Sequence, residues 1–132
     1  MIVYESEFTR ITYEEENLLL FQLWKTSFSM TDDLYKREVS ACAKSTLQNK
    51  ANCLLSNIIN IDFIVTPELQ EWNKLNFFQI LEDAGIERYG IILNTDLFSK
   101  LSVNQSIEEA ANFKLKINFF SNVEVALNWL NT

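Results

Sequence analysis

The chain has 132 residues, 48% of them apolar and 13% aromatic, enough for one domain with a substantial hydrophobic core and no need of a cofactor or disulfide to hold it. Eighteen acidic against eleven basic residues give a net charge of −7, and the basic residues are scattered, which disfavours nucleic acid or an anionic membrane surface as a partner. There is no histidine, which removes Ser-His-Asp and Cys-His catalysis and nearly all zinc sites, and only two glycines, too few for a glycine-rich phosphate loop.

The longest apolar run, Leu18 to Trp24, is interrupted by Gln22 and far too short to span a bilayer, and Met1 to Glu5 carries no basic leader signature. A protein without membrane insertion, in the cytoplasm, is expected. Cys42 and Cys53 fall in a helical and a strand pattern respectively, and read as reduced, buried thiols.

In chain order, residues 2–13 and 18–25 are rich in apolar and β-branched residues, with a polar turn at Glu14 to Asn17 between them, and predict an antiparallel hairpin. The second strand is apolar nearly throughout and belongs inside the sheet. Thr31-Asp32-Asp33 supplies a cap and acidic first turn for a helix to about Ala51, with Tyr35, Val39, Cys42, Ala43 and Thr46 along one stripe. Cys53 to Ser56 reads as a buried strand. The following connection, Asn57 to Val65, is too apolar for an ordinary surface loop and should pack down.

Thr66 caps the next helix, with Pro67 in its first position and Glu68 at the positive end of the dipole. Its apolar pattern weakens at Asn73-Lys74 and Asn76 and resumes at Phe77, Ile80, Leu81 and Ala84, so one kinked helix or two short ones fit. Gly85 stands where a left-handed terminating residue is wanted, with Ile86 behind it. Tyr89 to Leu93 is another buried strand. Asn94-Thr95-Asp96 opens a helix through about Ala111, with Leu97, Leu101 and Ile107 as core residues. Lys114 to Phe120 alternates apolar with polar residues as an edge strand does. Ser121 to Glu124 reads as a capping box for a last helix buried through Val123, Ala126, Leu127 and Leu130. The order ββαβαβαβα predicts an α/β domain with a mixed five-stranded sheet and about four helices.

That order, together with Asp62 to Leu69 after the central strand and Phe119 to Leu130 at the end, resembles the SpoIIAA-like STAS domains of anti-sigma-factor antagonists and sulfate-transporter tails. Thr66-Pro67-Glu68, Gln70-Glu71-Trp72 and Ala84 to Arg88 resemble uncharacterised bacterial members in particular. The resemblance implies a regulatory binding module controlled by phosphorylation, and a fold shared with lipid-carrying CRAL-TRIO domains. The antagonists place Asp-Ser-Ser at this helix start and phosphorylate the second serine. Aligned through Asp62-Phe63-Ile64, this chain has Val65-Thr66-Pro67, so the modified position falls on Pro67 and only Thr66 keeps a hydroxyl at the helix start for a relocated switch.

Two functional readings follow. In the first, a non-enzymatic module, expected to be a homodimer, contacts a protein partner through Asp62, Thr66, Glu68, Trp72, Phe77 and Phe78. In the second, an apolar small molecule or lipid lies between the Trp72 helix region and the sheet, in a cavity that Trp72, Phe77, Phe78 and Leu81 could line, and a closed apolar cavity of a few hundred Å³ would favour that reading over the first. An enzyme comes third. Asp62, Glu68 and Glu71 could act as acid and base but read better as solvated carboxylates, and Cys53 reads better as packing than as a nucleophile. Adjacent aromatics such as Phe77-Phe78 and Phe119-Phe120 cannot all point inward from one element, which predicts some exposed apolar surface. No catalytic residue, metal site or cofactor is expected.

Overall fold

A computed structural model describes residues 1–63, 65–95 and 114–131. Within them the chain forms β1 (Ile2–Glu5), β2 (Thr9–Glu14), β3 (Leu19–Trp24), α1 (Asp32–Asn49), β4 (Cys53–Asn57) and α2 (Pro67–Asn73). A π-helical turn (Lys74–Phe78), α3 (Gln79–Asp83), β5 (Arg88–Ile92), β6 (Lys116–Phe120) and α4 (Val123–Leu130) follow. The helix expected from Asn94 to about Ala111, with Leu97, Leu101 and Ile107, lies outside the described residues beyond Thr95.

The strands form one sheet in sequence order, β1-β2-β3-β4-β5-β6. The first two pairings are antiparallel, and those from β3 through β6 are parallel. The sheet is therefore mixed, with six strands rather than five, because residues 2–13 divide. Ser6 causes the break: its hydroxyl accepts from the backbone N–H of Phe8 and of Thr9, at 3.0 and 3.2 Å, and so turns the chain after Glu5.

Alternation along the strands sorts side chains onto two faces. Leu20, Gln22 and Trp24 of β3, Leu54 and Ser56 of β4, and Tyr89 and Ile91 of β5 share the face covered by α1 and the α2–α3 segment. Leu19, Cys53, Leu55, Ile92 and Phe120 share the other, against Ala126 and Leu130 of α4. β3 is apolar but for Gln22, and β4 over Cys53, Leu54 and Leu55, as strands covered on both faces are. Gly90 sits where a Cβ would come within 3.0 Å of Leu55 Cδ1, so this second face packs closely around it.

The helix ends have clear causes. Thr31 accepts from Leu34 N–H at the start of α1, and Lys50 ends that helix in a left-handed conformation. Gly85, at φ 89°, ends α3: its N–H bonds to Glu82 O and that of Ile86 to Leu81 O, the paired bonds of a Schellman motif, while Ile86 is buried. The cap of α4 is Asn122, one residue after the expected Ser121; its Oδ1 accepts from Glu124 and Val125 N–H at 2.7 and 3.2 Å. A carboxamide at that position satisfies two free donors at once. β6 is the sheet edge that its alternation suggests.

One buried group has no counterpart in the sequence reading. Glu38 of α1 is 0% exposed, and its carboxylate accepts from Tyr4 Oη (3.1 Å), Ser6 Oγ (2.5 Å), Thr9 Oγ1 (2.6 Å) and Arg37 Nε (2.8 Å). These bonds clamp the β1–β2 hairpin to α1. Burial, with the Glu38 charge adding to it, raises the Tyr4 phenol above its ordinary value.

Candidate functional site

The cavity of interest opens at the carboxyl ends of the parallel strands. Its floor is Gln22 and Trp24 of β3, Tyr89 and Ile91 of β5 with Leu93 just beyond that strand, and Phe119 near the end of β6. Tyr35 and Val39 of α1 form one wall. Ile58, Ile61, Phe63 and Val65, from the apolar connection after β4, form another. The roof is Pro67, Gln70, Glu71, Asn73, Lys74, Phe77 and Phe78. The volume is about 750 Å³, inside the range of roughly 300–1,000 Å³ usual for small-molecule sites. It is a cleft open to solvent, not the closed cavity expected for an apolar ligand.

Local chemistry explains why the cleft lies here. Crossover connections leave parallel strand ends bare, and side chains from the following loops converge over them. The connection from Asn57 packs down as its composition requires: Ile58 N–H bonds to Ile92 O, and Asp62 N–H bonds to Ser27 Oγ. The π turn then sets the roof. An i→i+5 turn holds more residues per turn than an α-helix, so consecutive side chains diverge by a smaller angle. Phe77 and Phe78 are thus both buried, 5% and 9% exposed, and both meet the Tyr89 ring, at 5.6 and 6.4 Å between centroids. The expectation that one of this pair faces outward is corrected for that reason. Phe119 and Phe120 divide between opposite faces of β6: Phe119 lines the cleft half-buried, and Phe120 is buried against α4.

Rings line much of the interior. Trp24, Tyr35 and Phe63 stack in series, with centroids 5.9 and 5.4 Å apart. Polar groups are few and specific. Tyr89 Oη donates to Ser56 Oγ (3.0 Å), which donates to Gln22 Oε1 (2.9 Å). The Gln22 Nε2 group is buried without a hydrogen-bond partner, and so is Asn73 Oδ1, whose Nδ2 donates to Tyr35 Oη at 2.9 Å. The two charged lining residues, Lys74 and Glu71, bridge each other at 3.2 Å.

Of the six residues singled out in the sequence, Phe77 and Phe78 line the cleft, and Asp62, Thr66, Glu68 and Trp72 are not among its described lining residues. Asp62 and Glu68 are exposed. Thr66 Oγ1 accepts from Leu69 N–H at 3.3 Å, the geometry of an N-cap. Trp72 is partly buried against the core with the Lys36 ammonium 5.6 Å from its ring. Gln22, Tyr35 and Asn73 were missed. For Gln22 a signal exists: it is the one polar residue inside the apolar run of β3.

Thiol chemistry has little support. Both cysteines are free and buried, and burial pushes the Cys53 thiol up to about 11 and that of Cys42 further. No group of three or more potential metal ligands occurs among the described residues. No helix among them is long and apolar enough to cross a membrane.

No protein-family description matches the sequence, and no curated protein does. Among solved structures, an uncharacterised protein of the DUF3478 family from Shewanella loihica PV-4, described as having a SpoIIAA-like fold, superposes with a TM-score of 0.56 at 15% identity, over 96% of this chain and 98% of that one. The chain is an α/β domain with the SpoIIAA-like fold, as the order of its elements suggested.

Proposed function

We infer that the protein is a non-enzymatic binding module whose ligand is an apolar small molecule held in the cleft between the π turn and the sheet. The observation that carries this reading is the cleft itself: about 750 Å³ at the strand ends, walled chiefly by aromatic and aliphatic side chains. Closure over most of the ligand is left to the roof formed by Asn73, Lys74, Phe77 and Phe78. A titration with the neutral fluorophore N-phenylnaphthylamine tests it. Saturable binding of one dye per chain, abolished when Val39→Trp fills the wall, supports the reading; failure of the dye to bind the native protein removes it.

A second reading, a surface for a protein partner or another copy of the chain, is favoured by Leu75, which is 74% exposed on the same π turn. Light scattering of the native protein and of Leu75→Asp tests it. A larger mass that falls on substitution supports self-association, and monomers in both remove it.

A further inference from the structure

Accepting the cleft as a small-molecule site, we propose that its ligand is a neutral aromatic compound carrying both a hydrogen-bond acceptor, met by Gln22 Nε2, and a hydrogen-bond donor, met by Asn73 Oδ1. An aromatic carboxamide is the simplest member of that class. The argument begins from two buried polar atoms left without partners on two residues that line one cavity. Buried polar atoms are nearly always satisfied, because an unmade hydrogen bond there forfeits the hydration that the atom lost. Gln22 is 2% exposed, and the rest of its carboxamide is already committed.

The direction of the donor chain sets which end faces the cleft. Tyr89, buried, donates its hydroxyl proton to Ser56 Oγ, and the Ser56 proton passes to Gln22 Oε1. Turning the carboxamide round would aim two donors at Ser56 Oγ and leave the Ser56 proton without that acceptor. The amide nitrogen is therefore the end left without a partner, and it needs an acceptor. Asn73 works in the opposite sense: its Nδ2 is engaged by Tyr35 Oη, which leaves its carbonyl oxygen to receive a donor.

Charge and shape narrow the class further. Glu71 and Lys74 neutralise each other across 3.2 Å, so neither sign is left over to select an ion. An ionised ligand would be desolvated against apolar walls, which disfavours it. The ring-rich walls, Trp24, Tyr35 and Phe63 among them, favour an aromatic body over a flexible chain through edge and offset ring contacts.

The test is displacement of N-phenylnaphthylamine from the full chain by four related compounds: naphthalene carboxamide, methyl naphthoate, naphthalene and the naphthoate anion. The amide supplies acceptor and donor, the ester an acceptor alone, the hydrocarbon neither. Affinity is expected to fall roughly ten-fold from amide to ester and roughly ten-fold again from ester to hydrocarbon, about one satisfied buried hydrogen bond at each step. The anion should compete more weakly than the amide. Asn73→Leu should collapse the amide–ester ratio and Gln22→Met the ester–hydrocarbon ratio, each leaving the other ratio in place. Should Gln22→Met fail to fold, the series on the native protein and on Asn73→Leu still decides. Equal affinity across the series, or tightest binding of the anion, overturns the inference while leaving the cleft a binding site. Absence of dye binding removes the parent reading as well.

Discussion

Replacing Glu38 by alanine should be among the most damaging single changes in this protein. The carboxylate is fully enclosed and receives four donors, from Tyr4, Ser6, Thr9 and Arg37, at 2.5 to 3.1 Å. Alanine leaves the Thr9 hydroxyl, itself 0% exposed, with no acceptor in place of the carboxylate, a cost of about 1–3 kcal/mol. The partly buried Tyr4 and Ser6 hydroxyls are partly rehydrated and add less. With the emptied carboxylate site included, the loss should be about 2–4 kcal/mol, since Arg37 is exposed, stays paired with Glu7 and is not left as a buried charge. Urea unfolding followed by circular dichroism measures it. Glu38→Gln keeps an acceptor for the hydroxyls and should lose clearly less, and a cycle with Thr9→Val should return a coupling of about 0.5–3 kcal/mol. A loss below about 1 kcal/mol for alanine, with the unfolding slope unchanged, would refute the clamp between the hairpin and α1. The consequence reaches the cleft, since Tyr35 and Val39 stand on the same helix.

Three smaller predictions follow from helix ends and buried acids. Gly85→Ala should cost about 1 kcal/mol in thermal or urea unfolding, from its φ of 89° alone, because the added Cβ meets nothing within 4 Å; a neutral effect would contradict the left-handed termination. Thr66→Ala should cost about 0.5–2 kcal/mol through the lost bond to Leu69 N–H, and Thr66→Ser should restore most of it. Stability should decline as pH rises above about 9. Burial raises Cys53 from 9.0 to about 11 and raises Cys42 and Tyr89 as well, so the unfolded chain releases protons that the folded chain retains. Urea midpoints that stay level from pH 8 to about 10.5 would contradict that burial.

Element type was legible wherever one face of an element is covered, because burial then writes a period into the sequence. The alternation from Lys114 to Phe120, the stripe of Val39, Cys42 and Ala43, and Gly85 before Ile86 all correspond to elements of the structure. What escaped was set by side-chain hydrogen bonds rather than by periodicity. Ser6 divides the first strand in two through bonds to two backbone N–H groups, and polar Glu38 interrupts an apolar stripe yet is enclosed, because its partners come from residues some thirty positions away.

The cleft was legible in part. The apolar composition after β4 indicated a packed connection, and Phe77 and Phe78 were picked out as candidate lining. The π turn was not foreseen, since its extra residue answers to tertiary packing more than to local propensity. Without it, Asn73 and two successive phenylalanines would not share one roof. Thr66, Asp62 and Glu68 drew attention through motif position, whereas Gln22 and Asn73 acquire significance only from where their unsatisfied atoms lie.

The central claim is that the ends of β3 and β5, roofed by the π turn, form the ligand site. A map of amide shifts in the two-dimensional ¹H–¹⁵N spectrum on adding N-phenylnaphthylamine tests it most directly. Perturbations should concentrate at Gln22, Trp24, Tyr35, Asn73, Phe77 and Ile91, with Leu55 and Ala126 on the far face of the sheet unmoved. Shifts confined to exposed residues such as Phe28 and Leu75, or spread evenly over both faces, would contradict the account.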